Sequence, residues 1–167
     1  IALGGWYSQG FTCAAVEGKL VCWGDNSGSS FGVDTAKQSG TPMAGARLPA
    51  ALIQVAAGSQ FACGLLETGG VRCWGPGYFG QLGDGQMVST GAPVQVSGLT
   101  RGATQLAGGV EHMCALTDAG KVLCWGSNRD GQVGIGDVPE AATPETPEGL
   151  EESVVAIYAS DWSSCAL

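Results

Sequence analysis

Short apolar runs of four to six residues recur along the whole chain, separated by stretches rich in glycine and proline. Runs of this length between such residues are typical of β-strands. The spaced glycines favour many tight turns over a disordered linker, because glycine adopts the backbone angles that turns require. No segment shows a sustained helical stripe with capping residues at its ends. The pattern therefore predicts an all-β chain of short strands.

The same pattern returns every 51 residues, and this is the strongest signal in the sequence. Each unit contains an apolar run, two halves of a hairpin, a glycine-rich loop and a proline-led stretch, or about four strands. Four strands per repeat indicate the blades of a β-propeller. We place the units at approximately 1–54, 55–105 and 106–156, with a fourth beginning at 157–167. The positions that keep the step include Cys22, Cys73 and Cys124; Trp23, Trp74 and Trp125; Gly32, Gly83 and Gly134; and Pro42, Pro93 and Pro144.

The cysteines fall into three pairs that are close in the sequence and one further residue. If residues 17–18 form a two-residue hairpin loop, the first pair occupies facing, non-hydrogen-bonded positions, where Cα atoms lie ~4.5 Å apart. The other pairs are one residue further apart, and their three-residue loops place Gly69 or Gly120 where a left-handed residue is needed. Loop length and cysteine spacing change together, which favours disulfides. The predicted bridges are Cys13–Cys22, Cys63–Cys73 and Cys114–Cys124, with Cys165 left unpaired in this chain.

Two alternatives to disulfides stay open at this point, a zinc site and unpaired buried thiols. Structural zinc sites favour close Cys-Xaa-Xaa-Cys spacing. No such spacing occurs, and His112 is the only histidine. We therefore predict no metal and no cofactor. Disulfides would imply an oxidising compartment, which means an extracellular, periplasmic or cell-surface location.

The segments LAGGVEHMCAL, KVLCWG and SNRDGQVG resemble the regulator of chromosome condensation repeat. Blades of that family carry an apolar strand ending in Ala-Gly, a His-Thr-Cys-Ala-Leu-like strand, a Val-Xaa-Xaa-Trp-Gly strand and an Asn-Xaa-Xaa-Gly-Gln-Leu-Gly loop. The resemblance covers the whole chain, and its cysteine-pinned form resembles the bacterial, extracellular branch. It implies a ring of usually seven blades, of which 167 residues hold about 3.3. We expect a piece of a larger propeller, completed by the rest of a longer chain or by further copies.

The charge balance argues against nucleic acid as a partner. The chain has 7 basic and 15 acidic residues, a net charge of −8. Nucleic-acid affinity depends on basic side chains that displace counterions from phosphates. We interpret the acidic run at 137–152 as a solvated loop, with a site for a basic partner as the alternative. No apolar run approaches the ~20 residues of a membrane-spanning helix.

Catalysis finds little support in the sequence. With one histidine and no nucleophile or phosphate-loop motif, the chain is not predicted to be an enzyme. Our first hypothesis is a noncatalytic, extracellular protein-binding propeller. The alternative is a structural or adhesive module of a large cell-surface protein, which positions domains or contacts glycans. The resemblance also allows an enzyme inhibitor or a nucleotide exchange factor, although paired cysteines disfavour the cytosolic setting of an exchange factor.

Aromatic residues that break the repeat are the candidate partner-binding residues: Trp6, Tyr7, Tyr78, Phe79 and Trp162. Trp6, Tyr7 and Trp162 lie between the first and second predicted strands of their units. Tyr78 and Phe79 lie between the third and fourth predicted strands. In an up-and-down blade these connections emerge on one face. Tyr and Trp are enriched in interaction hot spots, and loops on rigid scaffolds often carry function. Packing against blade edges is the alternative role.

Overall fold

The computed structural model describes residues 1–6, 9–34, 37–150 and 153–167, and all regular structure in these residues is β. Three antiparallel sheets have four strands each in sequential order, and a fourth sheet has two. The first sheet contains β1 (Ala2–Trp6), β2 (Gln9–Val16), β3 (Lys19–Asp25) and β4 (Gln38–Ala44). The second contains β5 (Leu52–Ala57), β6 (Ala62–Leu66), β7 (Val71–Gly75) and β8 (Thr90–Gln95). The third contains β9 (Ala103–Gly108), β10 (His112–Thr117), β11 (Val122–Ser127) and β12 (Glu140–Glu145), and the fourth contains β13 (Ile157–Ser160) and β14 (Ser163–Ala166).

The sheets are three blades of a propeller and the first hairpin of a fourth, so the predicted all-β fold is confirmed. The first strands of successive blades lie side by side. Glutamine side chains tie them together: Gln54 exchanges hydrogen bonds of 2.8 and 2.9 Å with the backbone of Leu106. Gln105 does the same with Ile157, at 2.8 and 3.0 Å. Blade stacking is therefore fixed by polar as well as apolar contacts.

The cysteine register that loop length predicts is confirmed in all three blades. Cysteines face each other across the second and third strands, with Cα atoms 4.1 to 4.2 Å apart. The first turn has Glu17 and Gly18 both at positive φ, 50° and 75°, as a two-residue hairpin loop requires. The three-residue turns have Gly69 and Gly120 at φ 76° and 75°. The bridges are Cys13–Cys22, Cys63–Cys73 and Cys114–Cys124, while Cys165 on β14 is exposed and free.

Tryptophans at one repeat position form the core between blades. Trp74 and Trp125 are both fully buried against the preceding blade. The Trp74 indole donates a hydrogen bond to the Ser30 carbonyl at 2.7 Å, and the Trp125 indole donates to the Gln81 carbonyl at 3.0 Å. Trp23, at the same repeat position, is half-buried in the first blade. The repeated tryptophan is thus a packing residue wherever a preceding blade is present.

Two details differ from the sequence interpretation. Part of the acidic run at 137–152 is not a loop, because Glu140–Glu145 forms β12 on the outer edge of the third blade. Strands β5 and β9 begin at Leu52 and Ala103, three residues before the unit boundaries at 55 and 106. The apolar runs that suggested those boundaries are only the buried second halves of these strands.

Candidate interaction face

The first and third connections of each blade emerge at the same end of the sheet, as the strand order requires. The third connection of one blade meets the first connection of the next, and we call each meeting point a junction. The same repeat positions supply all three junctions. Junction one combines Ser27 and Gly28 with Gln60, junction two combines Tyr78 and Phe79 with Glu111, and junction three combines Arg129 and Asp130 with Trp162.

Backbone hydrogen bonds at the inner end of the blades hold the first connections in place. The amide of Ser59 donates to the carbonyl of Val110, and the amide of Val110 donates to the carbonyl of Asp161, both at 2.9 Å. A depression of about 320 Å³ lies over this spine, lined largely by glycine and other small residues. The first connections of the blades are therefore hydrogen-bonded to one another and line a shallow depression.

Junction two presents its aromatic pair on a tight loop after β7. The buried Gln81 side chain accepts a hydrogen bond from the Phe79 amide at 2.9 Å, which fixes the loop just after Tyr78. Tyr78 is 68% exposed, and Phe79 is half-buried. The guanidinium carbon of Arg129 lies 4.9 Å from the centroid of the Phe79 ring. Arg129 therefore links junction three to junction two by a cation–π contact.

Glu111 is the charged member of junction two. Burial raises the pKa of the Glu111 carboxyl, because a desolvated carboxylate is less stable. The positive charge of Arg129 partly offsets this shift in pKa, and the negative charge of Asp130 adds to it. A cavity of about 130 Å³ separates Glu111 from the aromatic pair and is also lined by Gln60, Phe61 and Pro76.

Junction three has a different character. Trp162 is 39% exposed and, like Asp130, lines a cavity of about 310 Å³ between the third and fourth blades. Below it, His112 is fully buried, and its Nε2 lies 2.9 Å from the Ser164 hydroxyl. That hydroxyl donates to the Gln132 carbonyl at 2.9 Å, so Nε2 carries the proton and donates to it. Burial lowers the pKa of His112 to about 4. The histidine is therefore a buried framework residue, at the position of the histidine in the family's His-Thr-Cys-Ala-Leu-like strand.

The predicted aromatic residues divide into two groups in the structure. Tyr78, Phe79 and Trp162 lie on the junction face, although Trp162 lines a different cavity from the other two. Trp6 ends β1 and pairs with Gln9, so its backbone is in a strand rather than in the connection that we expected. The side chain of Trp6 and the whole of Tyr7 lie outside the described residues. The binding role of all five stays a prediction.

Sequence reasoning gave no role to Glu111 or Arg129. The signal for Glu111 was its repeat position, which is that of Trp162 in the next unit and of Gln60 in the previous one. Contact between Arg129 and Phe79 depends on the spacing between blades, which the repeat does not reveal. Both residues have to be added to the candidate face.

A metal role is not supported in the part of the chain that the structure describes, where no cluster of three His, Cys, Asp or Glu side chains could hold an ion. Residues 128–131, Asn-Arg-Asp-Gly, resemble the first residues of a calcium loop but lack its later ligands, and in the structure they form a turn closed by the Asn128 side chain. Its Oδ1 accepts from the Val133 amide at 2.9 Å, and its Nδ2 donates to the Val138 carbonyl at 2.6 Å. Residues 1–6, 9–34, 37–150 and 153–167 also contain no helix long and apolar enough to cross a membrane.

Comparison with known proteins agrees with this architecture. Two profiles described as "Regulator of chromosome condensation (RCC1) repeat" match the chain, one at residues 52–81 and 103–132 and the other at 68–116 and 119–167. These repeats define a class of β-propeller proteins. The chain belongs to the regulator of chromosome condensation (RCC1) repeat family.

Similar proteins include human E3 ubiquitin-protein ligase HERC2, which is 34% identical over 137 residues. Prp20p from Saccharomyces cerevisiae, whose structure was reported with its binding to Gsp1p and histones, is 28% identical with a TM-score of 0.77. Human WBSCR16 is 21% identical with a TM-score of 0.79, which shows the fold alone. These alignments use 81%, 94% and 95% of this chain.

The chain covers only a part of each of these proteins: 3% of HERC2, 39% of Prp20p and 42% of WBSCR16. The activities and partners of the whole proteins are therefore not transferred to it. All three are eukaryotic, so assignment to a bacterial, extracellular branch stays a prediction.

Proposed function

We propose that this propeller segment is a noncatalytic, extracellular protein-binding module that uses its junction face. The observation that carries the proposal is the contrast between constant and variable repeat positions. The inter-blade tryptophans and the cysteine pairs recur in each complete blade, whereas the exposed junction residues differ at every blade. Binding by Prp20p to Gsp1p and histones shows that a family member binds proteins.

The disulfides support an extracellular location for this module. Three bridges in 167 residues, each inside one blade, are typical of proteins that mature in an oxidising compartment. Reducing cytosolic conditions would keep such thiols free. The net charge of −8 supports protein over nucleic acid as the partner.

Quantitative capture of extracellular proteins by the immobilised chain tests the proposal. Tyr78→Ala and Trp162→Ala should each reduce the captured amount of the same protein, because both side chains are exposed on the junction face. Val16→Ala is the matched control, because this exposed residue precedes the β2–β3 turn at the opposite end of its blade. Equal capture by all variants, or loss with Val16→Ala alone, would contradict a role for the junction face.

A further inference from the structure

Junction two has aromatic surface and a negative charge, both of which junction one lacks at the same repeat positions. At junction one, a Cβ placed on Gly28 would lie 3.0 Å from the Gln60 Cβ, so the two connections pack directly together. At junction two, the same positions carry Phe79 and Glu111, and a cavity of about 130 Å³ lies between them. Junction two therefore has a cavity that these larger residues line.

The walls of this cavity suit a cation with an alkyl stem. Phe61, Pro76, Tyr78 and Phe79 provide apolar surface, while Gln60, Gln81 and Glu111 add polar groups. The Phe79 ring already accommodates the guanidinium of Arg129 at 4.9 Å. Aromatic rings attract cations through their quadrupole, and the attraction strengthens where water is partly excluded.

Glu111 supplies the charge that a bound cation would neutralise. Within the described residues, the charges that act on its carboxylate are that of Arg129, which attracts it, and that of Asp130, which repels it. Its half-buried position removes part of its hydration, which is why burial raises the pKa of this group. Glu111 lines the cavity together with Tyr78 and Phe79, so a cation bound there would lie near its negative charge.

We propose that the cavity of junction two binds the cationic side chain of a lysine or arginine presented by a protein partner. This inference rests on the proposed function and names the chemistry of one contact within it. Electrostatic complementarity supports this occupant, because a chain of net charge −8 attracts basic surfaces. At junction one the corresponding residue is the uncharged Gln60, and a Cβ placed on Gly28 would lie only 3.0 Å from the Gln60 Cβ.

A small-molecule titration tests the site without a partner. The 15N-labelled chain is titrated at constant ionic strength with n-butylammonium chloride, which mimics a lysine side chain, and separately with n-butanol as the neutral analogue. We expect saturable amide shifts at residues 78, 79 and 111 with the cation only, with a dissociation constant on the order of millimolar. Glu111→Gln should weaken binding roughly fivefold, and Tyr78→Ala roughly twofold. Asp118→Asn, which removes one exposed acid from the opposite end of the same blade, should change nothing.

The outcomes separate this inference from the proposed function. Equal shifts with n-butanol would identify a site for an apolar side chain and overturn the inference. Absence of saturable shifts, or equal binding by Glu111→Gln, would also overturn it, even if Tyr78→Ala and Trp162→Ala still impair capture of a protein. Cation binding at residues 78, 79 and 111 would support the inference, even if capture proved independent of the junction face and the proposed function failed.

Discussion

The inter-blade tryptophans and the exposed junction residues lie in the same blades but differ in burial and in how regularly they recur along the sequence. Trp74 and Trp125 are both fully buried, and each donates to a carbonyl in the preceding blade. A few residues along the chain, the junction positions change from Ser27 to Tyr78 to Arg129. Repetition therefore marks the residues that pack the blades together, and departure from repetition marks the residues to which we assign partner binding.

The sharpest test of this comparison removes one residue of the repeated set. Trp125→Ala should cost about 3–5 kcal/mol in free energy of unfolding, because it leaves a large void and an unpaired carbonyl at Gln81. Urea unfolding followed by circular dichroism measures the loss. A loss of free energy of unfolding no larger than that of Trp162→Ala would contradict the distinction between the inter-blade tryptophans, which with the other repeated buried residues form the frame, and the exposed junction residues, which form the face.

The buried histidine belongs to the frame and should make it sensitive to acid. The pKa of His112 is lowered from 6.5 to about 4, so the folded state binds fewer protons than the unfolded state between these values. Its contribution is fully present above pH 6.5 and is lost as pH falls towards 4, by up to about 3 kcal/mol. His112→Phe, which installs the residue found at Phe61 in the previous blade, should flatten this slope in urea unfolding.

Glu111 titrates with the opposite sign, because its raised pKa means that stability is gained as it becomes protonated. The difference between the wild type and His112→Phe at each pH therefore isolates the histidine. If the two proteins lost stability in parallel from pH 6.5 to 4, the histidine would not be the acid-sensitive element of the frame.

Each disulfide should contribute less to the free energy of unfolding than the buried Trp125 does. Cys114→Ala combined with Cys124→Ala opens a loop with a sequence separation of 10, and we expect a loss of roughly 2–3 kcal/mol. Alkylation and intact-mass analysis without reductant should label Cys165 and leave the other six cysteines unlabelled. Labelling of all seven cysteines without reductant would show that the three disulfides are absent.

Substitutions on the face should have the smallest effect on stability. Trp162→Ala removes a side chain that is 39% exposed, and we expect a loss below about 1 kcal/mol. The same urea experiment measures it. A loss of free energy of unfolding comparable with that of Trp125→Ala would show that Trp162 is a packing residue and would contradict its assignment to the face.

Much of the frame could be predicted from the sequence because it follows from local rules. The shift from a two-residue to a three-residue turn, together with one more residue between cysteines, determined the register of Cys63 with Cys73 and of Cys114 with Cys124. The segment HMCAL also matches the His-Thr-Cys-Ala-Leu-like strand of the family, and its His112 is buried in the structure. These features depend on strand alternation and turn geometry, which a repeat displays several times over.

The face was less predictable because it depends on how neighbouring blades approach. Tyr78 and Phe79 stood out as departures from the repeat, but their shared cavity with Glu111 arises only when the next blade packs against them. Arg129 reaches the Phe79 ring from the following blade. Trp6 extends β1 by pairing with Gln9, a contact that the spacing of apolar residues did not indicate.

Junction two is proposed to bind a cationic side chain through residues that the packing between blades does not require. The double variant Tyr78→Ser/Glu111→Gln replaces two residues of junction two with those that junction one has at the same repeat positions, Ser27 and Gln60. We expect this variant to lose saturable n-butylammonium shifts at residues 78, 79 and 111, while its free energy of unfolding changes by less than about 1 kcal/mol. Retained cation binding, or a loss of stability as large as that of Trp125→Ala, would contradict the claim.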